Sequence, residues 1–217
     1  MIYKDRRDAG RQLAGMLSHY RDKPDTIILG LPRGGVAVAV EIAATLNLPL
    51  DVLIVRKIGF PGNPELAVGA LSETGALTLN EEIIAGYGVE REYLARETTR
   101  QNVEIARRKV IYRGGEGLPP LVGKTVILVD DGIATGATVK AAITTLKQER
   151  LARLVVALPV ASPDAEATIR RLVDEWVCLQ APPGFMAVGS YYYDFNQVED
   201  ADVLAMLKES RAKGEPS

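Results

Sequence analysis

An α/β fold, built on a parallel sheet flanked by helices, follows from three features of this sequence. Short apolar runs of strand length alternate with stretches of helical period, the pattern of parallel strands joined by crossover helices. Residues 126–129 are uniformly apolar, end on paired carboxylates, Asp130 and Asp131, and pass through a Gly- and Thr-rich turn into a helix-forming stretch at 139–147. A second apolar run, residues 26–31, likewise leads through a glycine-rich turn at 30–36 into an apolar helical segment. Runs without polar alternation describe strands buried on both faces, which is how parallel sheets are built.

The elements follow in order. An opening helix over residues 5–20 places Ala9, Leu13, Met16 and Leu17 on one face. Residues 26–31 form a strand, 36–46 a helix and 51–55 the next strand. Residues 67–71 and 76–79 pair as a hairpin around 72–75. Asn80 is a good N-cap for the segment 80–85, and a long charged helix runs from about 90 to 110. That helix carries Arg91, Arg96, Arg100, Arg107 and Arg108 among glutamates, the pattern of a solvated face laced with ion pairs. Its alternative role is to close the site or pair subunits. A Gly/Pro-rich linker at 114–120 leads into the strand at 126. A strand at 154–159, a helix from 163, a strand at 176–179 and a helix at 199–209 complete the chain, with 211–217 expected to fray.

Composition excludes several functions. The chain has 217 residues and a net charge of −2, without the basic character that recommends nucleic acid. The charged opening lacks the apolar core of a secretory signal, and the most apolar stretch, 36–46, is broken by Glu41 and too short to span a bilayer. A cytoplasmic location is expected. Cys178, the single cysteine, rules out an intrachain disulfide and a cysteine metal cluster; its apolar setting marks a small hydrophobe rather than a nucleophile. His19, the single histidine, leaves little room for His-based triads. There is no Gly-x-x-x-x-Gly-Lys-Ser/Thr phosphate loop.

The strand ends carry the chemistry, because ligands of open parallel sheets bind beyond the carboxyl ends of the strands. The turn after Asp131 can aim backbone N–H groups and a helix's positive end at a phosphate, with Thr135 and Thr138 adding donors. Asp130 and Asp131 are then acceptors suited to vicinal sugar hydroxyls, and together these groups describe a ribose-5-phosphate site. On the residues alone, the acid pair also reads as a Mg²⁺ site of a phosphoacceptor domain, or as a strand end beside solvent. The turn at 30–36 offers Arg33 and Gly34, although glycine is the default residue for any tight strand-to-helix turn. Arg56 and Lys57 precede a Gly/Pro loop ending at Gly62 and could equally be solvated charges capping a strand.

Residues 126–138 resemble the phosphoribosyl-pyrophosphate (PRPP) signature of the type I phosphoribosyltransferases: an apolar strand, two acidic residues, two variable residues and a short Thr/Gly phosphate loop. The resemblance implies that Asp130 and Asp131 hold the ribose hydroxyls while Ala134, Thr135, Gly136, Ala137 and Thr138 wrap the 5′-phosphate. It implies that residues 30–36 form a pyrophosphate loop with Arg33 and Gly34, and that Arg56 and Lys57 open a flexible loop, at least one reaching the pyrophosphate. Arg33, Arg56, Lys57, Asp130 and Asp131 are then the catalytic set. Mg²⁺ would be carried by PRPP, touching Asp130 or Asp131 and requiring no dedicated cage. The implied reaction, of the nucleotide-salvage kind, transfers ribose-5-phosphate from PRPP to a nitrogenous base and releases pyrophosphate; the alternative is a non-catalytic PRPP-binding regulator.

Ala134 stands where enzymes of the hypoxanthine-guanine type carry an aspartate, which argues against their 6-oxopurine mechanism; Ala-Thr-Gly here is similar to the adenine and uracil enzymes. Glu65 reads as a base or base-edge contact, or as an ordinary loop carboxylate. The aromatic stretch 181–195 resembles the family's hood over the acceptor base: Phe185 or one of Tyr191, Tyr192 and Tyr193 would stack on the base, or these rings would merely pin the loop to the core. Residues 4–10, 31–36, Arg56–Lys57 and 193–197 together resemble a subgroup of predicted phosphoribosyltransferases whose acceptor is undefined. The expected layout is a single domain over 1–217, with a core at about 22–180, a loop and helical insertion at about 57–115 and a hood at about 181–198. Expected partners are PRPP, a small-molecule base and a second copy in a homodimer, with neither nucleic acid nor membrane.

Overall fold

The computed structural model describes residues 1–214, apart from the side chains of Pro64, Glu65 and Lys213. The chain runs α1 (Arg6–Met16), β1 (Thr26–Gly30), α2 (Gly34–Leu46), β2 (Leu50–Val52), β3 (Val55–Phe60), β4 (Asn63–Ser72), β5 (Leu77–Leu79), α3 (Glu81–Tyr87), α4 (Arg91–Arg113), β6 (Thr125–Val129), α5 (Ala137–Leu146), β7 (Arg153–Val160), α6 (Pro163–Ile169), β8 (Glu175–Gln180) and α7 (Asp200–Gly214). A parallel sheet has the order β2-β1-β6-β7-β8, and an antiparallel sheet has the order β3-β4-β5.

Successive residues of a strand face opposite sides, and both sides of the parallel sheet are apolar. Ile28, Ile127 and Val155 meet Leu13, Ile42 and Leu207 of α1, α2 and α7. Leu29, Leu128 and Val156 meet Val139, Ile143 and Ile169 of α5 and α6 on the other face. Each such side chain contributes about 1.5–3 kcal/mol on full burial, so the central strands are held from both faces. The register pairs Leu29 with Leu128 and Gly30 with Val129. β1 and β6 therefore end level, and the glycine turn after one strand lies beside the acid pair after the other.

The expected strand at 51–55 divides. Leu53 N still donates to Gly30 O at the edge of the parallel sheet, but Ile54 is claimed by Glu73: Ile54 N donates to the carboxylate, and Glu73 N donates to Ile54 O, both at 2.9 Å. From Val55 the chain belongs to the second sheet. The segment read as a flexible loop takes the form of a β3–β4 hairpin, with register shifts between Ile58, Gly59 and Phe60. The hairpin expected around 72–75 is present as β4–β5, with Gly69 opposite Leu79. Asn80 caps α3 through Ile83 N.

Three helix details differ from expectation. Met16 is exposed, because α1 ends there and a 3-10 turn at Ser18–Tyr20 follows; Ala9, Gly10, Leu13 and Ala14 form the buried face. On α4, Arg100 and Arg107 pair with Glu97 and Glu104 at the surface as expected, but Arg108 is buried, and so is Arg113 in an ion pair with Glu73. α7 continues through Gly214 rather than fraying from 211, while 215–217 lie outside the described residues. No described helix is long and apolar enough to cross a membrane.

Candidate functional site

β6 delivers Asp130 and Asp131 to the carboxyl end of the sheet. Asp130 Oδ1 accepts the backbone N–H of Asp131 at 2.9 Å. Burial pushes the Asp130 carboxyl well above the usual carboxylate range, and the neighbouring Asp131 charge pushes it further. Burial also raises Asp131, against the pull of Arg6. Arg6, from the first turn of α1, donates Nε to Asp131 Oδ2 at 2.7 Å and Nη1 to Asn196 O at 2.8 Å.

α2 presses its N-terminus onto this pair, and only glycine permits it. A Cβ on Gly34 would land on Asp131 Oδ2, and one on Gly35 would lie 2.7 Å from Val129 O and 2.9 Å from Asp130 Cα. The Pro32–Arg33 peptide just before is cis. Arg33 heads α2, with Nη1 3.2 Å from Glu199 Oε2 beside the start of α7.

The loop after Asp131 is tied to the neighbouring strand. Ile133 N donates to Val160 O at 3.0 Å, and Ser162 Oγ donates to Ala134 O at 2.6 Å while capping α6 through Ala165 N. Gly136 turns the chain with φ +71°, and its missing Cβ makes room for Ile169, whose Cδ1 would lie 2.6 Å away. α5 then begins at Ala137, so the amides of Ala137, Thr138 and Val139 are first-turn donors without intrahelical partners. Ala134 and Thr135 are exposed. A cavity of about 510 Å³ opens between Thr135, Ala137 and Lys140 on this side and Gly69, Thr78 and Leu79 of the β4–β5 hairpin.

The hairpin carries the two cations on opposite faces. Ile58, on the Arg56 face, packs with Leu94 and Ile105 of α4, whereas Val55, on the Lys57 face, packs with Val139 and Ile143 of α5. Arg56 donates Nε to Gln101 Oε1 at 2.9 Å. Burial lowers its pKa, helped by the nearby Arg108 and Arg33 charges, though a guanidinium stays charged. The two candidates thus lie on different sides of the ribbon: Arg56 on the side of α4, near the Arg33 charge, and Lys57 on the side of α5.

The aromatic stretch divides its labour. Phe185 and Tyr191 stack on each other, centroids 5.6 Å apart. Tyr193 is 81% exposed. Tyr192, offered by the sequence as a stacking residue, is instead buried: its ring lies between Tyr3 and Phe195, and its hydroxyl donates to the backbone carbonyl of Asp131. It props the acidic turn, with its ring packed among these neighbours. Glu65 falls among the side chains outside the description. His19 is exposed beside Glu175, at the opposite end of the sheet from the acid pair. Burial raises the Cys178 thiol to about 12, which keeps it protonated and suits an inert hydrophobe.

The structure therefore brings Asp130, Asp131, Gly34 and the loop 134–138 to adjacent strand ends, with Arg33 at the head of α2. Arg6 and Tyr192, which hold Asp131, escaped the sequence reading as site supports. Their only sequence signal was that both lie in or beside the stretches, 4–10 and 193–197, that set the subgroup apart.

Residues 2–196 match the family model of the phosphoribosyl transferase domain. A Mycobacterium tuberculosis protein provisionally named a phosphoribosyl transferase is 43% identical over 206 residues, which cover 95% of this chain and 46% of that protein. The chain thus spans about half the length of the curated relatives it matches. The crystal structure of TT1426 from Thermus thermophilus is 45% identical, with a TM-score of 0.80 over 96% of this chain and 99% of that one. A hypoxanthine phosphoribosyltransferase from Staphylococcus aureus, 14% identical with a TM-score of 0.50 over 83% of this chain and 74% of that one, shares the fold.

Proposed function

The chain belongs to the phosphoribosyl transferase domain family, and from that premise we propose that it transfers ribose-5-phosphate from PRPP to a nitrogenous base with release of pyrophosphate. One observation carries the reading: the acid pair, the glycines that let α2 approach it and the Thr/Gly loop stand at the level carboxyl ends of β1 and β6. In this reading Asp130 and Asp131 accept hydrogen bonds from the two ribose hydroxyls. Ala134, Thr135, Gly136, Ala137 and Thr138 wrap the 5′-phosphate, using the first-turn amides and positive end of α5.

The bond from ribose C1 to the pyrophosphate oxygen breaks as the bond from C1 to the base nitrogen forms, and where that nitrogen carries a proton, the proton leaves to water or the departing pyrophosphate. The sugar acquires oxocarbenium character and the leaving group takes the electron pair. Arg33, Arg56 and Lys57 neutralise that leaving charge, and each donor so placed is worth about 3–4 kcal/mol of barrier. Asp130 and Asp131 are hard oxygen donors of the kind that touch a substrate-carried Mg²⁺; that ion supplies further charge neutralisation on the pyrophosphate when bound. The Phe185–Tyr191 pair and Tyr193 remain the stacking candidates for the base. Ala134 offers no proton exchange with it, which disfavours the 6-oxopurine mechanism. A single domain with its core at about 22–180 and its hood at about 181–198, working in the cytoplasm as a homodimer, completes the proposal.

The test is pyrophosphate release from Mg²⁺-PRPP against a panel of purine, pyrimidine and nicotinate-type bases. Release that depends on one base supports the proposal and names the acceptor. PRPP binding with no release across the panel would favour a regulator, and absence of both binding and release would refute the site assignment.

A further inference from the structure

Arg6 holds a place that the proposed chemistry does not explain. It stands 125 residues before Asp131, yet its guanidinium meets both the turn at Asp131 and the stretch at Phe195 and Asn196. Nε lies 2.7 Å from Asp131 Oδ2, Nη1 lies 2.8 Å from Asn196 O, and Cζ lies 3.8 Å from the centroid of the Phe195 ring. A Cβ on Gly34 would come within 2.9 Å of Nε, so the same group borders the turn that leads into α2. Its side chain is only 11% exposed.

The helix beneath it is fixed. Asp5 caps α1 through Asp8 N, and Arg7 pairs with Glu41 on α2 at 2.7 Å and with Glu209 on α7 at 3.1 Å. Gly10 lets α1 settle onto the backbone of Val38. A cation on so rigid a base, bound at three points, is poorly suited to swing away during turnover. Its geometry suits holding: a planar fork can serve a carboxylate and a carbonyl at once while its face lies on an aromatic ring, which an ammonium cannot do.

We propose that Arg6 is a positioning residue for Asp131. By occupying Oδ2 from below, with Tyr192 holding the carbonyl of the same residue, it leaves Asp131 Oδ1 as a fixed acceptor for one ribose hydroxyl. It also ties the stretch around Phe195 and Asn196 to that carboxylate. The inference rests on the sugar-binding reading of the acid pair, and deepens it by giving the two carboxylates unequal supports: Asp131 is held by Arg6, Asp130 by a backbone amide.

The experiment is calorimetric binding of ribose-5-phosphate and of its 2-deoxy and 3-deoxy analogues. Wild-type protein should bind the parent sugar phosphate more tightly than either analogue by about tenfold, the worth of a hydrogen bond to a charged acceptor. If wild type makes no such distinction, the sugar-binding reading of the acid pair fails, whatever Arg6 does. If it does, Arg6→Gln should abolish the preference against one analogue, the one lacking the hydroxyl on Asp131, and keep the preference against the other. Arg6→Lys should restore part of it. Equal weakening of all three ligands would make Arg6 merely structural, and preferences unchanged in Arg6→Gln would also overturn the inference. Should Arg6→Gln fail to fold, Arg6→Lys decides alone, and a full wild-type preference against both analogues in it overturns the proposal.

Discussion

Replacing Asp130 by Asn should make the protein more stable and less active at once. Asn has the same shape and keeps the Oδ1 acceptor that receives Asp131 N at 2.9 Å, but removes a carboxyl that burial and the Asp131 charge hold well above its ordinary range. The sign follows from proton linkage. Between the ordinary carboxylate value and the raised folded value, the folded protein holds more protons than the unfolded chain, so stability falls as pH rises through that window. Above it the whole cost of the buried charge is present, and Asn removes it. Substitutions that relieve a functional site of this kind return about 0.5–2 kcal/mol. For a chain of this length that corresponds to a Tm higher by about 1–8 °C. Urea denaturation followed by far-UV circular dichroism should show the gain at about pH 8 and a smaller one at about pH 5. Base-dependent pyrophosphate release should fall by about 100-fold or more in the same variant. A variant less stable than wild type at the higher pH, or a gain that ignores pH, would refute the reasoning.

Glu73→Gln leaves the Arg113 guanidinium buried without its carboxylate, where Nε and Nη1 already have no hydrogen-bond partner; it should cost about 3–5 kcal/mol in urea denaturation, most of it regained by adding Arg113→Met. Gly34→Ala pushes its methyl into Asp131 Oδ2 and Arg6, so it should cost about 1–3 kcal/mol of stability and weaken PRPP binding in calorimetry. Arg56→Met should slow single-turnover pyrophosphate release by about 10²–10³-fold with an unchanged circular dichroism spectrum; a rate within threefold of wild type, roughly 0.6 kcal/mol, would remove Arg56 from the leaving-group role.

The parallel strands were legible because each is an uninterrupted apolar run buried on both faces, and their ends named the acid pair, the glycine turn and the loop at 134–138. The division after Leu53 was not, because it depends on Glu73 seizing Ile54 from the next hairpin. The β3–β4 ribbon was hidden for a related reason: its Gly/Pro-rich sequence is compatible with a loop, and only pairing makes it a strand. Arg108 and Arg113 could not be placed inside because α4 carries charge all round, so no face announces itself. Arg6 and Tyr192 act on Asp131 across 125 and 61 residues, distances at which no local pattern speaks. Tyrosine serves equally as platform or prop, and the fold alone decides which.

The central seam of the sheet has a consequence for biosynthesis. β1 and β6 are neighbours in space, yet residues 31–124, 94 in all, separate them in the chain. At about 5–20 residues per second, a nascent β1 waits about 5–19 s for its partner, with an apolar edge open to misassociation. The glycine turn belongs to the early half of that seam and the acid pair to the late half. A pocket divided between the two sides of that seam cannot form until β6 has been made and paired with β1, so ligand competence waits on that one pairing, whatever β7 and β8 add afterwards.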